Sequence, residues 1–385
     1  MITKTRLFTP GPTPLLPSAQ LAMAGAAMHH RTAEFRALYS KVLADLKTFV
    51  GTKNDVVMFT ASGTGAMEAA VSNLTSPGDK VLVLSAGKFG ERWESLAKTY
   101  GCQVEMVRSP YGETVTPEQV KQKLGSSHVA LYMQATESST GVRHNVEAMA
   151  RLLQGTNTLL VVDAITGLGT TAFNIDDWGV DVIIGGSQKA VMIPPGLAYC
   201  AVSDRAWPRM ESSKNPRYYF DLRKERKSGS KGESSYTPST ALVTALATAL
   251  DYLREQGGGD LAKGRDLLIR NAETAASMTR AAAKALGLEL FSKASPGAAL
   301  TAITAPDGID SGEIAKKLRS RFGAVIANGQ GEMKGQLFRI AHLGFYDYLD
   351  TIAIIGALEH VLVEIGRKVE LGAGLRAAQL AYASS

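Results

Sequence analysis

Lys189 stands in Gly185-Gly186-Ser187-Gln188-Lys189-Ala190, directly after the run Val180–Ile184 and shortly before Pro194-Pro195-Gly196. A buried strand at that run delivers an amine into a glycine-rich turn that two prolines then stiffen. Upstream, Leu159-Leu160-Val161-Val162 ends in the carboxylate of Asp163. An acid at the carboxyl end of one inner strand and an amine just past the next point to a shared crevice, because ligands of open α/β sheets bind outside the carboxyl ends of the strands. Taken singly, the Asp reads as a turn former or helix cap and the Lys as a solvated side chain. Their company decides between the readings.

Val56–Thr60 reads as a short strand, followed by Ala61-Ser62-Gly63-Thr64-Gly65 and a helical Ala66–Leu74. In that order, backbone N–H groups at a helix amino terminus face an anion, and the hydroxyls of Ser62 and Thr64 add donors, so phosphate is the natural guest. A plain N-cap is the simpler alternative. The lysine of a Walker loop is absent. Phe89 lies between Gly87 and Gly90, at the end of a strand Lys80–Ser85, where an aromatic can stack on a flat ligand; a core phenylalanine is the competing reading. The strand Val129–Gln134 ends in the hydroxyl-rich Thr136-Glu137-Ser138-Ser139-Thr140. A lysine, a strand-end acid and a phosphate-type loop together fit pyridoxal phosphate: the lysine makes the Schiff base and the acid keeps the pyridine nitrogen protonated, so that the ring acts as an electron sink.

The elements that must position these groups alternate. Helices are expected at 32–49, 91–100, from about 116, and at 145–154, interleaved with strands at 80–85, 103–107, 129–134, 159–163, 180–184 and 197–202. This implies α/β architecture with a mostly parallel sheet. The basic run Arg223–Lys227 beside the Gly/Ser-rich 228–235 reads as a solvated loop. Gly257-Gly258-Gly259 marks a boundary between helices 241–256 and 261–286. Beyond it, 288–291, 299–304, 309–322, 324–328, 336–341 and 349–371 alternate as a small α+β domain, with a tail from 376 that is helical or frayed. Within it, Arg339 sits in an apolar strand, Phe338-Arg339-Ile340-Ala341, where a guanidinium needs a carboxylate: a ligand's, or an internal Asp or Glu. The proline-rich Leu7–Pro14 is expected as an extended arm over the body. The domains expected are thus an arm 1–15, a large domain 16–258 and a small C-terminal domain 259–385.

Composition narrows the class. At 385 residues, with 45% hydrophobic and 20% charged content, the chain is an ordinary globular protein with room for large cores. No apolar stretch approaches a membrane span of ~20 residues, and no signal-type segment opens the chain, so a cytoplasmic location is expected. Cys102 and Cys200 offer no disulfide framework or metal quartet and read as small buried hydrophobes. His29-His30 lacks further ligands, so no metal is expected. Arg31, beside that pair, is a candidate contact for a substrate carboxylate. A net charge of +6 is dispersed, without the basic face and aromatic platforms of a nucleic-acid binder.

Taken together, LFTPGPTPL at 7–15, ASGTGAMEAA at 61–70, ESSTGV at 137–142, VVDAITGLGT at 161–170, GGSQKAVMIPPGLA at 185–198 and FRIAHLG at 338–344 resemble the class V aminotransferases, in the alanine–glyoxylate, serine–glyoxylate and serine–pyruvate group. The resemblance covers nearly the whole chain. It implies fold type I, pyridoxal 5′-phosphate as cofactor, and a homodimer with interfacial sites. It assigns Lys189 to the Schiff base and the α-proton, and Asp163 to the pyridinium nitrogen. Ser62, Gly63, Thr64 and Gln188 fall to the phosphate, Phe89 to ring stacking where relatives often carry tryptophan, and Ser138 to the ring hydroxyl. Ile165 would cover the other ring face, Tyr236 and Thr237 would reach the partner's phosphate, and Arg339 would bind the substrate α-carboxylate. The implied reaction passes an amino group from alanine or serine to glyoxylate or pyruvate. Aspartate and 2-aminoethylphosphonate branches remain open, since Arg31 would suit a distal acid group. Cysteine desulfurases need a cysteine on a mobile loop near the substrate, which Cys102 and Cys200 do not provide. Some members of the family are labelled as the small subunit of a soluble hydrogenase, which leaves a non-catalytic role as the contrasting reading.

Overall fold

A computed structural model describes residues 2–25 and 27–385. Met1 and Ala26, which fall in the expected arm and large domain, lie outside the described residues. The larger of its sheets has seven strands, in the spatial order Asp55–Phe59, Ala198–Val202, Val182–Gly186, Leu159–Asp163, His128–Gln134, Lys80–Ser85 and Gln103–Arg108. Ala198–Val202 is antiparallel to both neighbours and the remaining pairs are parallel. Two reversals cancel, so Asp55–Phe59 runs with the parallel set. The carboxyl ends of the strands leading to Ser62, Phe89, Ser138, Asp163 and Lys189 therefore share one edge.

Its strands are continuous apolar runs because both faces are covered. Along Leu159–Asp163, Leu160 and Val162 join one core and Leu159 and Val161 the other. The period of two is that of a pleated strand. One face packs on the helices Ala33–Val50 and Thr240–Gln256, the other on Gly63–Leu74 and on Trp93.

A four-stranded sheet, in the order Arg6–Phe8, Ala324–Asn328, Leu337–Ala341 and Leu300–Thr304, forms the second layer system, covered by helices Ser311–Phe322 and Tyr348–Glu364. The amino-terminal arm is thus part of it: Arg6–Phe8 pairs in parallel with Ala324–Ile326 as an edge strand, ahead of the prolines that stop it. Among the described residues no helix is long and apolar enough to cross a membrane.

Some local expectations are corrected. The basic run is helical, Leu222–Gly229, because Asp221 caps it through the N–H groups of Arg223 and Lys224 and Leu222 and Glu225 are buried against the body. Segment 288–291 is not a strand; it contributes a single bridge, Leu290 to Ile303. The expected helix 349–371 ends at Glu364, and a separate helix, Ala373–Ala383, follows, held by the buried Glu359 carboxylate, which accepts from the N–H groups of Gly372, Gly374 and Leu375.

The strand that leads to Lys189 contains Gly185 directly opposite Tyr199, whose ring occupies the space a Cβ would need. Gly185→Ala is expected to destabilise the fold by about 1–3 kcal/mol through overpacking, read as a lowered denaturant midpoint. An unchanged midpoint would show that the tyrosine ring yields freely.

Candidate active site

At the shared edge lies a cavity of about 240 Å³ into which Ser62, Gly63, Thr64, Phe89, Ser138, Asp163, Ile165, Gln188 and Lys189 all project. Each arrives by a different local device. Helix Gly63–Leu74 starts three residues earlier than periodicity suggests, with Ser62 at its N-cap. The Ser62 hydroxyl makes no cap bond and the first turn holds no acid, so the helix end and this hydroxyl stay free for an anion. Gly63 has no room for a side chain, since Ile165 fills the space a Cβ would take. Phe89 is not in a glycine turn as expected but in the first turn of helix Lys88–Thr99, because Gly87 serves as that helix's N-cap.

Lys189 and Asp163 are both buried, 8% and 6% exposed. Burial lowers the Lys189 ammonium to about 8, against the opposing pull of the Asp163 charge, with Arg339 and Arg92 lowering it further. Burial also lifts the Asp163 carboxyl to about 6, opposed by the Ile165 N–H and by the charges of Lys189 and Arg92. Asp163 Oδ1 accepts from the Ile165 N–H at 2.9 Å. The Lys189 Nζ donates to the Pro10 carbonyl, and the Thr13 hydroxyl donates to the Lys189 carbonyl at 3.0 Å, so the amino-terminal arm grips the lysine from two sides. Gly11, which lines the cavity at φ +146°, leaves the passage for this: a Cβ there would stand 2.6 Å from Nζ.

Arg339 is buried on the middle of the small sheet and reaches across to the large one. Its Nη1 donates to the Ser138 carbonyl and its Nη2 to the Asn328 carbonyl, each at 2.6 Å, while Nε has no partner. No carboxylate within ion-pair distance neutralises it among the described residues, and burial pulls the guanidinium down to about 10, countered by Glu137. The internal ion pair considered from the sequence is therefore not made.

Other predicted residues are not brought to this cavity within one chain. Tyr236 is half-buried, stacked on Tyr219 at 5.0 Å, and its hydroxyl donates to the Tyr218 carbonyl; Thr237 is exposed. Arg31 is exposed and does not line the cavity. Cys102 and Cys200 are buried and reduced, with burial pushing the Cys200 thiol up to about 12, and neither lines the cavity.

Sequence reasoning missed several contributors. Arg92 lines the cavity; its position three residues after Phe89, on one helix face, was the available signal. Glu137 is fully buried and accepts from the N–H groups of Phe89 (3.0 Å), Gly90 (3.1 Å) and Ser139 (3.1 Å) and from the Ser139 hydroxyl (2.6 Å). It thereby binds the start of the Phe89 helix to the Ser138 turn, and an acid inside a hydroxyl-rich turn was its only mark in the sequence.

Residues 18–336 match the family model described as aminotransferase class V. The chain belongs to the class V aminotransferases. It is 39% identical, over 98% of each chain, to a Synechococcus protein named soluble hydrogenase, small subunit. It is 32% identical to the serine–glyoxylate aminotransferase of Methylorubrum extorquens, over 97% of this chain and 95% of that one. Among solved structures, the subgroup IV aspartate aminotransferase of Thermus thermophilus superposes with a TM-score of 0.86 at 34% identity, covering 94% of this chain and 99% of that chain. The architecture is accordingly fold type I, and the cofactor is pyridoxal 5′-phosphate. The cavity of this aminotransferase suits that group: it opens on a helix start with no acid in its first turn and an uncommitted Ser62 hydroxyl, donors of the kind a phosphate needs, with the Lys189 amine across the same cavity.

The opposing influences on Lys189 yield an expected pH dependence for the cofactor-free protein. Acylation of the amine should rise with a midpoint near 8, well below an ordinary lysine. Because the Asp163 charge raises the proton affinity of Lys189, Asp163→Asn should move that midpoint downward, measured by pH-dependent labelling and peptide mass spectrometry. An upward move would contradict the assigned electrostatics.

Proposed function

We infer that the chain transfers an amino group from a small amino acid, alanine or serine, to glyoxylate or pyruvate. The observation that carries this is the unpaired, buried guanidinium of Arg339 beside the crevice that holds Lys189. A guanidinium held only by carbonyl oxygens retains its charge for an incoming carboxylate. Arg339 is not itself among the residues that line the cavity of about 240 Å³ and meets it through the Ser138 carbonyl. The relative named serine–glyoxylate aminotransferase supports the choice of a small amino acid.

In this reading Lys189 holds the cofactor covalently, and Ser62, Gly63, Thr64 and Gln188 hold its phosphate. Phe89 and Ile165 would lie against its ring, Ser138 would meet its hydroxyl, and Asp163 would keep a proton at its nitrogen. Pyridoxal phosphate supplies an electron sink for the charge left at a carbon that loses a proton. Arg339 fixes the α-carboxylate and so orients the α-hydrogen. Once the substrate's amine has taken its place on the cofactor, Nζ of Lys189, whose burial lowers its pKa to about 8, would take up that proton as general base and return it as general acid. Asp163, ionised above about 6, keeps its partner nitrogen protonated across the same range. Pro10 and Thr13 hold the lysine segment and limit water around Nζ.

The division into a large domain 16–258 and a small domain 259–385 puts Lys189 and Arg339 on separate bodies. A homodimer would place Tyr236 and Thr237, which lie away from their own chain's cavity, at the partner's phosphate. Aspartate is the second reading, favoured by the likeness to the Thermus aspartate aminotransferase; Arg31, the residue expected to receive its distal acid, stays outside the cavity of its own chain. A non-catalytic hydrogenase subunit would leave the buried cation and the depressed lysine without use.

The test is the half-reaction, followed by cofactor absorbance, with alanine, serine, aspartate and 2-aminoethylphosphonate offered in turn. Alanine or serine should react fastest, and Arg339→Ala should lower kcat/KM by about a hundredfold or more through loss of a bidentate carboxylate site. Fastest turnover with aspartate would overturn the substrate assignment.

A further inference from the structure

Arg92 has no assigned part in the reaction outlined above, yet it touches two pieces of its machinery. It lies in the helix Lys88–Thr99, three residues after Phe89, so both side chains leave the same face. The guanidinium carbon stands 4.7 Å from the centroid of the Phe89 ring, within the range of a cation–π contact. Its Nη1 donates to the Thr64 hydroxyl at 2.9 Å. Thr64 is the second residue of the helix that starts at Gly63.

The acids on Arg92's own helix are engaged elsewhere. Glu91 pairs with Lys88 and accepts from Tyr111, and Glu94 pairs with Lys98 and Arg108. Arg92 thus has no carboxylate partner among the described residues, and it lines the cavity together with Thr64 and Phe89. Each contact has a consequence. A hydroxyl that accepts from a guanidinium keeps its own hydrogen to donate, so Thr64 is turned into an oriented donor at a helix start with no acid nearby. A phenyl ring covered on one face by a guanidinium can offer only its other face or its edge to a guest. The charge of Arg92 also favours ionised Asp163 and neutral Lys189.

We propose that Arg92 is a positioning residue that couples the phosphate cradle to the ring-stacking place: one guanidinium orients Thr64 and fixes Phe89, so that the two ends of the cofactor are seated together. This rests on the cofactor assignment of the cavity made above. Lysine cannot do both tasks, since it lacks the planar fork.

The test uses cofactor-stripped protein titrated separately with pyridoxal phosphate and with pyridoxal, read by protein fluorescence, with visible circular dichroism of the bound cofactor reporting how the ring is held. Arg92→Met should weaken pyridoxal phosphate about tenfold to a hundredfold, the loss expected of a charge-assisted hydrogen bond, and pyridoxal distinctly less. Thr64→Val should cost less in the Arg92→Met background than in the wild type, because the orientation of that hydroxyl toward the phosphate depends on Arg92. Arg92→Lys, which retains charge and stem, should keep most of the phosphate affinity but lose the wild-type dichroism. Unchanged affinity in Arg92→Met, equal losses for the two ligands, multiplying losses with Thr64→Val, or wild-type dichroism in Arg92→Lys would each overturn the proposal. A wild-type protein that binds pyridoxal phosphate no better than pyridoxal would instead remove the cofactor assignment on which it rests.

Discussion

An ammonium and a carboxylate, Lys189 and Asp163, are kept out of water at the edge of a parallel sheet, and the remaining architecture answers to that constraint. Burial disfavours both charges, raising the acid toward neutrality and lowering the amine toward it, while each charge partly restores the other. The result is an amine that can exchange a proton near physiological pH beside an acid that remains ionised there. Such an arrangement is costly for stability, and the continuous apolar strands on both sides of Leu159–Asp163 and Val182–Gly186 supply the burial that sustains it.

The small sheet has two holds on this centre. Arg6–Phe8 is its edge strand, and the chain leaving that strand brings the Pro10 carbonyl to Nζ and the Thr13 hydroxyl to the lysine's own carbonyl. From the middle of the same sheet, Arg339 reaches the Ser138 turn. Glu137, one residue earlier, gathers the N–H groups at the start of the Phe89 helix. Lys189, Phe89 and Arg339 are therefore linked through short hydrogen-bonded turns, so that several groups meet at one sheet edge.

Much of this was legible in the chain because strand-end chemistry survives translation into sequence. Apolar runs that stop at Asp163 and just before Lys189, and a glycine-hydroxyl turn between strand and helix at 61–65, mark the crevice without knowledge of tertiary contacts. Long-range pairings were not legible. Nothing local in Pro10 identifies it as an acceptor for Lys189, 179 positions away in the sequence, and nothing local in Leu7 distinguishes an edge strand from a loose arm. Helix boundaries failed where caps decide them: Gly87 and Ser62 start helices earlier than periodicity does, and Asp221 with buried Leu222 and Glu225 turns a charged run into a helix. Arg339 kept its ambiguity because carbonyl partners leave no sequence signature.

The most direct measurement on the central claim is borohydride reduction of the purified protein loaded with pyridoxal phosphate, followed by digestion and mass spectrometry. A single stable pyridoxyl modification on the peptide carrying Lys189 is expected, with none on Lys88 or Lys224. Modification of a different lysine, or none at all, would contradict the account.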